Sequence, residues 1–284
     1  MPRELPRTLR SLAPGYQQGV DPDDYEVIVI DNGSPEPLDP AMLAAFPGTL
    51  RHSRIEDAPQ YPARAANLGI EMAQADLVGL LLDGARMASP GLCAHALLAH
   101  RLADRPVIAA PGWHLGPGRH MDAAAVGYDR DAEDRLLAET DWERDGYRLF
   151  SVSTLAASSS RGLFAPMGES NALFMPNALW TELGGLDEHF VLPGGGLSNH
   201  DLYRRACSLD GVQLVVLLGE GTFHQVHGGA ATSGRLTWDE MHAEYVALRG
   251  AVYRPPENDR LYVGTVPDAT LRYIEESAHR RRLR

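Results

Sequence analysis

The chain contains no lysine, so all 26 of its basic side chains are arginines. A phosphate-binding P-loop requires its lysine, and a pyridoxal cofactor requires one for its imine; both chemistries are excluded. Cysteine is almost as scarce. Cys93 and Cys207 stand far apart with no CxxC pair, which excludes a disulfide framework and a cysteine zinc site and fits a reducing, cytoplasmic compartment. No apolar run approaches the ~18 residues of a transmembrane helix. The opening Met1-Pro2-Arg3-Glu4-Leu5-Pro6-Arg7 lacks the apolar stretch of a secretory signal. Positive charge is outweighed, with 38 acidic residues and a formal net charge of -12, so nucleic acid is not an expected partner. A dinucleotide fingerprint is also missing. Gly116-Pro117-Gly118 has no third glycine, and Gly194-Gly195-Gly196 follows no strand pattern.

What is present is an ordinary globular composition, 44% apolar and 23% charged over 284 residues, long enough to bury a sizeable core. Leu5, Leu9 and Leu12 predict a short amphipathic helix over 3–12. Tyr25 to Ile30, Leu77 to Leu82 and Val107 to Ala110 read as buried strands. Helices are predicted between them, over 63–75 and 91–102. Apolar strands alternating with helices indicate a sheet covered on both faces. The stretch 111–168 is rich in Gly, Ser, Asp and Arg and reads as an insertion over the sheet, with one helix over 131–142. Strands follow at 171–175 and 213–218, with helices opening at Pro176 and Asn199. The expected organisation is one domain over 1–234 and a C-terminal helical extension over 235–284.

Ligands of open α/β sheets bind beyond the carboxyl ends of the strands. Asp31 follows the strand ending at Ile30, and Asp83 the strand ending at Leu82. Between them, Tyr61-Pro62-Ala63-Arg64-Ala65-Ala66-Asn67-Leu68-Gly69 opens a helix with Arg64 and Asn67 on one face. A cation beside helix-terminal amides suits a diphosphate.

These segments together resemble the N-terminal half of the family 2 glycosyltransferases, which have the GT-A fold. They are strand-Asp31-Asn32-Gly33-Ser34, Arg64-Ala65-Ala66-Asn67-Leu68-Gly69-Ile70, and Ala75-Asp76 leading to Leu81-Leu82-Asp83. The later segments Asn171-Ala172-Leu173-Phe174 and Leu183-Gly184-Gly185-Leu186-Asp187-Glu188-His189-Phe190 are similar to that family's acceptor-side block. Asp201-Leu202-Tyr203-Arg204-Arg205-Ala206 and Phe223-His224-Gln225-Val226-His227-Gly228-Gly229 follow in the family's order. The resemblance implies an α/β, GT-A-like (Rossmann-like), mixed and mostly parallel sheet with helices on both faces. It also implies transfer of a sugar from a nucleotide-diphosphate sugar to an acceptor hydroxyl. Asp31, with Asn32 beside it, would meet the base. Arg64 and Asn67 would approach the base and diphosphate, and Asp83 would take the first position of the Asp-x-Asp motif near ribose and metal. Glu169, Asp187 and the loop from Gly194 to Asp201 would form the acceptor side.

Three departures from that family stand out. Ala85 replaces the second carboxylate of Asp-x-Asp, and alanine offers Mg²⁺ or Mn²⁺ no ligand. Arg86 could neutralise the diphosphate directly instead, a metal-independent route. Asn199 stands where the catalytic aspartate is expected and cannot take a proton. Asp201 is the candidate base, with Asp187 and Glu169 as other carboxylates; a retaining route would need no base. The family's first strand, internal to its sheet, would precede Met1; its absence leaves two unpaired edges unless the start is mis-assigned, the sequence is a fragment or another segment fills the gap. Asp83, His224 and His227 are the candidate metal set. In an extended chain the two histidines point to opposite faces, so only a turn or helix would bring both to one ion. Trp113, Trp142 and Trp238 could stack on sugars, although tryptophan belongs more often in a core. The Arg280-Arg281-Arg282-Leu283-Arg284 end suits a solvated tail or peripheral contact with anionic lipid. The losses at 85 and 199 motivate an alternative: a catalytically silent GT-A-like module that binds a nucleotide sugar or a partner.

Overall fold

A computed structural model describes residues 1–120, 127–227 and 236–282. Its strands are β1 (Glu26–Asp31), β2 (Thr49–Arg54), β3 (Leu77–Leu81), β4 (Arg86–Ala88), β5 (Pro106–Ala110), β6 (Gly112–Leu115), β7 (Ser153–Leu155), β8 (Ala172–Pro176), β9 (Gln213–Leu218), β10 (Thr222–His224) and β11 (Arg260–Gly264). They form a five-stranded sheet in the order β11-β9-β5-β8-β3, a four-stranded sheet in the order β4-β10-β6-β7, and the parallel pair β1-β2.

Period-2 alternation explains why helices cover both faces of the larger sheet. Val107 and Ala109 of β5, Leu173 and Met175 of β8, and Leu214 and Val216 of β9 share one core with Leu179, Trp180, Leu202 and Ala206. Those four lie on the helices Asn177–Leu183 and Ser198–Cys207. The intervening Ile108, Ala110, Ala172, Phe174, Val215 and Leu217 face the other way, against Leu92, Ala96 and Ala99 of the helix Leu92–His100. The fold is the α/β, GT-A-like architecture expected from the sequence.

Several details differ from the sequence reading. The stretch 111–168 supplies β6 and β7 of the second sheet and, with Trp113, Leu149 and Phe150, much of its aromatic core. These strands are three or four residues long, too short for a periodic signal. The segment 235–284 is not solely helical, because β11 joins the main sheet as its edge, parallel to β9. β2 lies between Ile30 and Ala63, where the sequence predicts no element. Its Thr-Leu-Arg-His-Ser-Arg sequence carries a single large aliphatic residue and hides its strand character. β1 pairs only with β2, and β3 ends the five-stranded sheet, so each has one edge without a ladder among the described residues. The helix Ala63–Met72 packs on both β1 and β3. No described helix is long and apolar enough to cross a membrane.

Candidate functional site

The register of the four-stranded sheet builds the site. β10 lies between β4 and β6, with His224 opposite Arg86 on one side and His114 on the other; His114 in turn faces Thr154 of β7. Directly paired residues share a face, so Arg86, His224, His114 and Thr154 form one row. The neighbouring row, Met87, Phe223, Trp113 and Leu155, faces the opposite side, where all four enter the aromatic core. Tight edge-to-face contacts, Trp113–Phe150 and Phe150–Phe223 both at 4.8 Å, fix the strands that carry the polar row.

Asp83 begins the site, at the turn after β3. Its φ of 88° is a left-handed conformation rare for a side chain larger than glycine, and such strain gathers at functional positions. The Asp83 Oδ1 atom accepts the Ala85 N–H at 3.0 Å, which holds the turn. Its Oδ2 atom lies 3.2 Å from His224 Nε2 and 2.9 Å from His227 Nε2, and the two Nε2 atoms are 2.9 Å apart. The opposite parity expected of the two histidines is broken by the chain turning after β10. That turn is well anchored: Gln225 N–H donates to the Ala85 carbonyl, Val226 N–H to Glu133, and Arg130 to the His227 carbonyl. Gly228 and Gly229 of the same motif lie outside the described residues. Against the penalty of burial, the facing histidines hold the Asp83 carboxyl well below its ordinary range. Burial and the nearby Arg86 push His224 down to about 3, so its ring is neutral at physiological pH.

Arg86 is the unusual charge of the site. Its Nε donates to the Leu82 carbonyl at 2.7 Å, but Nη1 is buried with no partner among the described residues. Burial lowers its pKa while Asp83 and Glu169 oppose the shift. Glu169 accepts Asn199 Nδ2 at 2.7 Å and Asn171 Nδ2 at 3.3 Å, and His200 Nδ1 stands 3.3 Å away. Although burial favours its neutral form, His200, Arg86 and the two amides lower the Glu169 pKa and keep it ionised. Its side chain is 20% exposed.

The fold resembles that of S. aureus TarS. The solved structure of TarS 1-349 matches with a TM-score of 0.53 at 12% identity over 78% of this chain and 57% of that one. TarS 1-349 in complex with UDP matches at 0.51, 13%, 80% and 57%, and its complex with UDP-GlcNAc at 0.52, 12%, 86% and 63%. This chain therefore spans 57–63% of the length of these TarS structures, under two thirds of each. No family model matches the sequence, and no curated protein does.

The other sequence candidates are dispersed around this centre. Asp31 is buried and takes the Arg54 guanidinium at 2.5 Å and the Ser34 N–H at 2.8 Å, which lower its pKa despite burial. Arg54 lies on β2 and was invisible to a reading that placed no strand there. Asn32 donates to the Pro59 and Tyr61 carbonyls, and its buried Oδ1 has no partner among the described residues. Arg64 is exposed. The Asn67 side chain is already engaged: Oδ1 accepts the Leu186 N–H, and Nδ2 donates to the Leu186 carbonyl and Glu188.

Asp201 and Asp187 are bound by arginine. Asp201 is fully buried, with Arg249 on both oxygens at 2.6 and 2.8 Å and Arg205 at 2.7 Å. Arg249 also reaches Asp187 at 2.6 Å. With every Asp201 oxygen committed and no access to solvent, this pair joins the helices Ser198–Cys207 and Trp238–Arg249. Arg249→Ala would leave Asp201 buried with half its partners and is expected to destabilise the fold by about 3 kcal/mol, read from urea unfolding. Burial aside, Arg249 and the His189 N–H hold the Asp187 pKa at about 2. A depressed carboxyl stabilises above its unfolded value and loses that contribution as pH falls. Wild-type stability should therefore drop between about pH 4 and 2, with a shallower slope in Arg249→Ala.

Asp83, His224 and His227 fit a divalent cation. One carboxylate oxygen and two ring nitrogens lie about 3 Å from one another, the spacing of donors that share one metal, and His224 is in the neutral form that ligation needs. The donor chemistry suits Mn²⁺ or Zn²⁺ better than Mg²⁺, which wants oxygen. The sequence reading missed His114 and His120, whose rings lie 5.4 and 5.1 Å from that of His224. The alternation Trp113-His114-Leu115 in an apolar strand carried that signal. With His224 they form a second group of possible ligands, in which His114 Nδ1 already accepts the His120 N–H at 3.0 Å.

Proposed function

We propose that this chain is a family 2-like glycosyltransferase of the cytoplasm that takes its sugar from a nucleotide-diphosphate donor, with UDP-sugars the first candidates. The observation that carries the reading is the buried Arg86 guanidinium with an unpartnered N–H, beside Asp83 in a fold resembling a protein crystallised with UDP and UDP-GlcNAc. A desolvated cation with open donors is a strong site for a diphosphate, because charge-assisted bonds gain most where water is excluded. Asn32 Oδ1 is an unmatched acceptor on the strand-end turn where a base would be read.

Glu169 takes the role first considered for Asp201. It is ionised, partly exposed and 2.7 Å from Asn199, so a carboxylate from position 169 lies beside the position where the family's is lost. In an inverting transfer the acceptor oxygen attacks the anomeric carbon while Glu169 takes its proton. The bond from that carbon to the diphosphate oxygen breaks, and the nucleoside diphosphate leaves with the electron pair toward Arg86. Asp83, His224 and His227 would hold a divalent cation, which when bound adds positive charge to the diphosphate side. His227→Ala is expected to weaken Mn²⁺ binding at least roughly tenfold by calorimetry, with Mg²⁺ binding poorly to either protein.

The test of the reading is calorimetric titration with UDP-GlcNAc and with UDP- and GDP-linked hexoses, with and without Mn²⁺. Binding of one donor is the expected result. A folded sample that binds none of them rejects the assignment. Binding without nucleotide release under any acceptor panel would leave the silent module instead.

A further inference from the structure

Among the tryptophans, Trp113, Trp142 and Trp180 are core side chains, whereas Trp238 leaves 49% of its surface open. Its place is nonetheless rigid. It begins the helix Trp238–Arg249, whose N-terminus is fixed by a reciprocal capping box between Thr237 and Glu240. The rings of His200 and His242 each lie 5.8 Å from the indole. His200 reaches Glu169 at 3.3 Å and meets Tyr253 edge-on at 5.1 Å. The Tyr253 hydroxyl donates to the carbonyl of Gly168, the residue before Glu169, and the Tyr253 N–H donates to His242 Nε2 at 2.9 Å. The open indole is thus tied, through one imidazole, to the carboxylate proposed to take the acceptor proton.

An aromatic face is electron-rich and welcomes weakly positive C–H groups. A pyranose ring offers such a C–H face together with hydroxyls around its edge. A ring lying on Trp238 would bury apolar surface on both partners, with Glu169 one imidazole away. An aliphatic or peptide hydroxyl has no comparable flat face. We propose that Trp238 is the floor of the acceptor subsite and that the acceptor hydroxyl belongs to a sugar ring stacked upon it. This rests on the donor and base assignments above, with Trp238 as a positioning residue that touches the acceptor.

The test exploits the exposure difference. Iodide quenches only accessible tryptophan fluorescence, here that of Trp238. The probes are chitotetraose, cellotetraose, maltotetraose, xylotetraose and a galacto-oligosaccharide, with a serine-containing peptide and a long-chain alcohol as non-sugar hydroxyls. One saccharide is expected to protect the indole from iodide and to stimulate UDP release from UDP-GlcNAc. Trp238→Ala should raise KM for that saccharide at least roughly tenfold, Trp238→Phe should restore most of it, and calorimetric affinity for UDP-GlcNAc should stay unchanged in both. Three results overturn the proposal in a chain that binds UDP-GlcNAc: no saccharide protects the indole, stimulation is equal in Trp238→Ala, or only the peptide or the alcohol stimulates release. Protection by a saccharide in a chain that binds no nucleotide sugar would instead refute the donor assignment while the sugar subsite stands.

Discussion

Glu169→Gln is expected to lower turnover by about 10²–10⁴-fold, the usual contribution of a positioned general base, while donor affinity changes little. The substitution keeps the shape of the side chain but leaves one oxygen for amides that donate to different Glu169 oxygens, so lost proton acceptance comes with the loss of one amide bond. Nucleotide release in the presence of acceptor, followed against pH, separates the outcomes. Wild-type activity should fall on the acid side as Glu169 protonates, below the ordinary carboxylate range because His200 and Arg86 depress its pKa. That acid limb should disappear with Glu169→Gln. Asp201→Asn serves as the contrast. Its carboxylate is enclosed by Arg249 and Arg205, so the change should reduce thermal stability and leave the pH limb in place. Equal turnover in Glu169→Gln and wild type would reject Glu169 as the base and favour a retaining route without one.

Arg86→Met is expected to weaken nucleotide-sugar binding by about 10- to 100-fold, the loss of one or two charge-assisted hydrogen bonds, yet to leave the fold as stable or make it more stable. The two effects point in opposite directions for one reason. A guanidinium buried with an unpartnered N–H opposes folding, and an apolar side chain of similar length removes that penalty. The same desolvation makes the cation effective once a diphosphate arrives. Calorimetry for UDP-GlcNAc and a denaturation midpoint on the same preparation measure both. A destabilised Arg86→Met with unchanged donor affinity would assign Arg86 a purely structural role through its bond to the Leu82 carbonyl.

Much of the scaffold was legible because its signals are local. The runs at 77–82, 107–110 and 213–218 are continuous and apolar, and each became a strand, the last two with both faces covered and the first a half-buried edge. Gly184-Gly185 ended a helix as punctuation does, Gly184 with the left-handed φ of 74°. β4, β6, β7 and β10 were not legible, since three or four residues carry no period and exist as strands only by pairing with each other. The site suffered most from this. Arg86, His224 and His114 are neighbours through a register that no single segment contains.

The sequence by itself determined the α/β class, the two strand-end aspartates, and the chemical inventory: arginine as the sole fixed cation, no carboxylate at 85 and no base at 199. These follow from composition, periodicity and the identity of residues at turns. Only the tertiary structure decided which carboxylate is held by arginines and which by amides. Asp201 and Glu169 look equally available along the chain, yet Arg205 and Arg249 enclose one without exposure, while the other keeps 20% of its side chain exposed beside Asn199. Likewise, the turn after β10, held by Ala85, Glu133 and Arg130, brings His227 to His224 against their strand parity. Charge pairing and proton acceptance depend on separations of a few ångströms, and only packing of distant segments sets those.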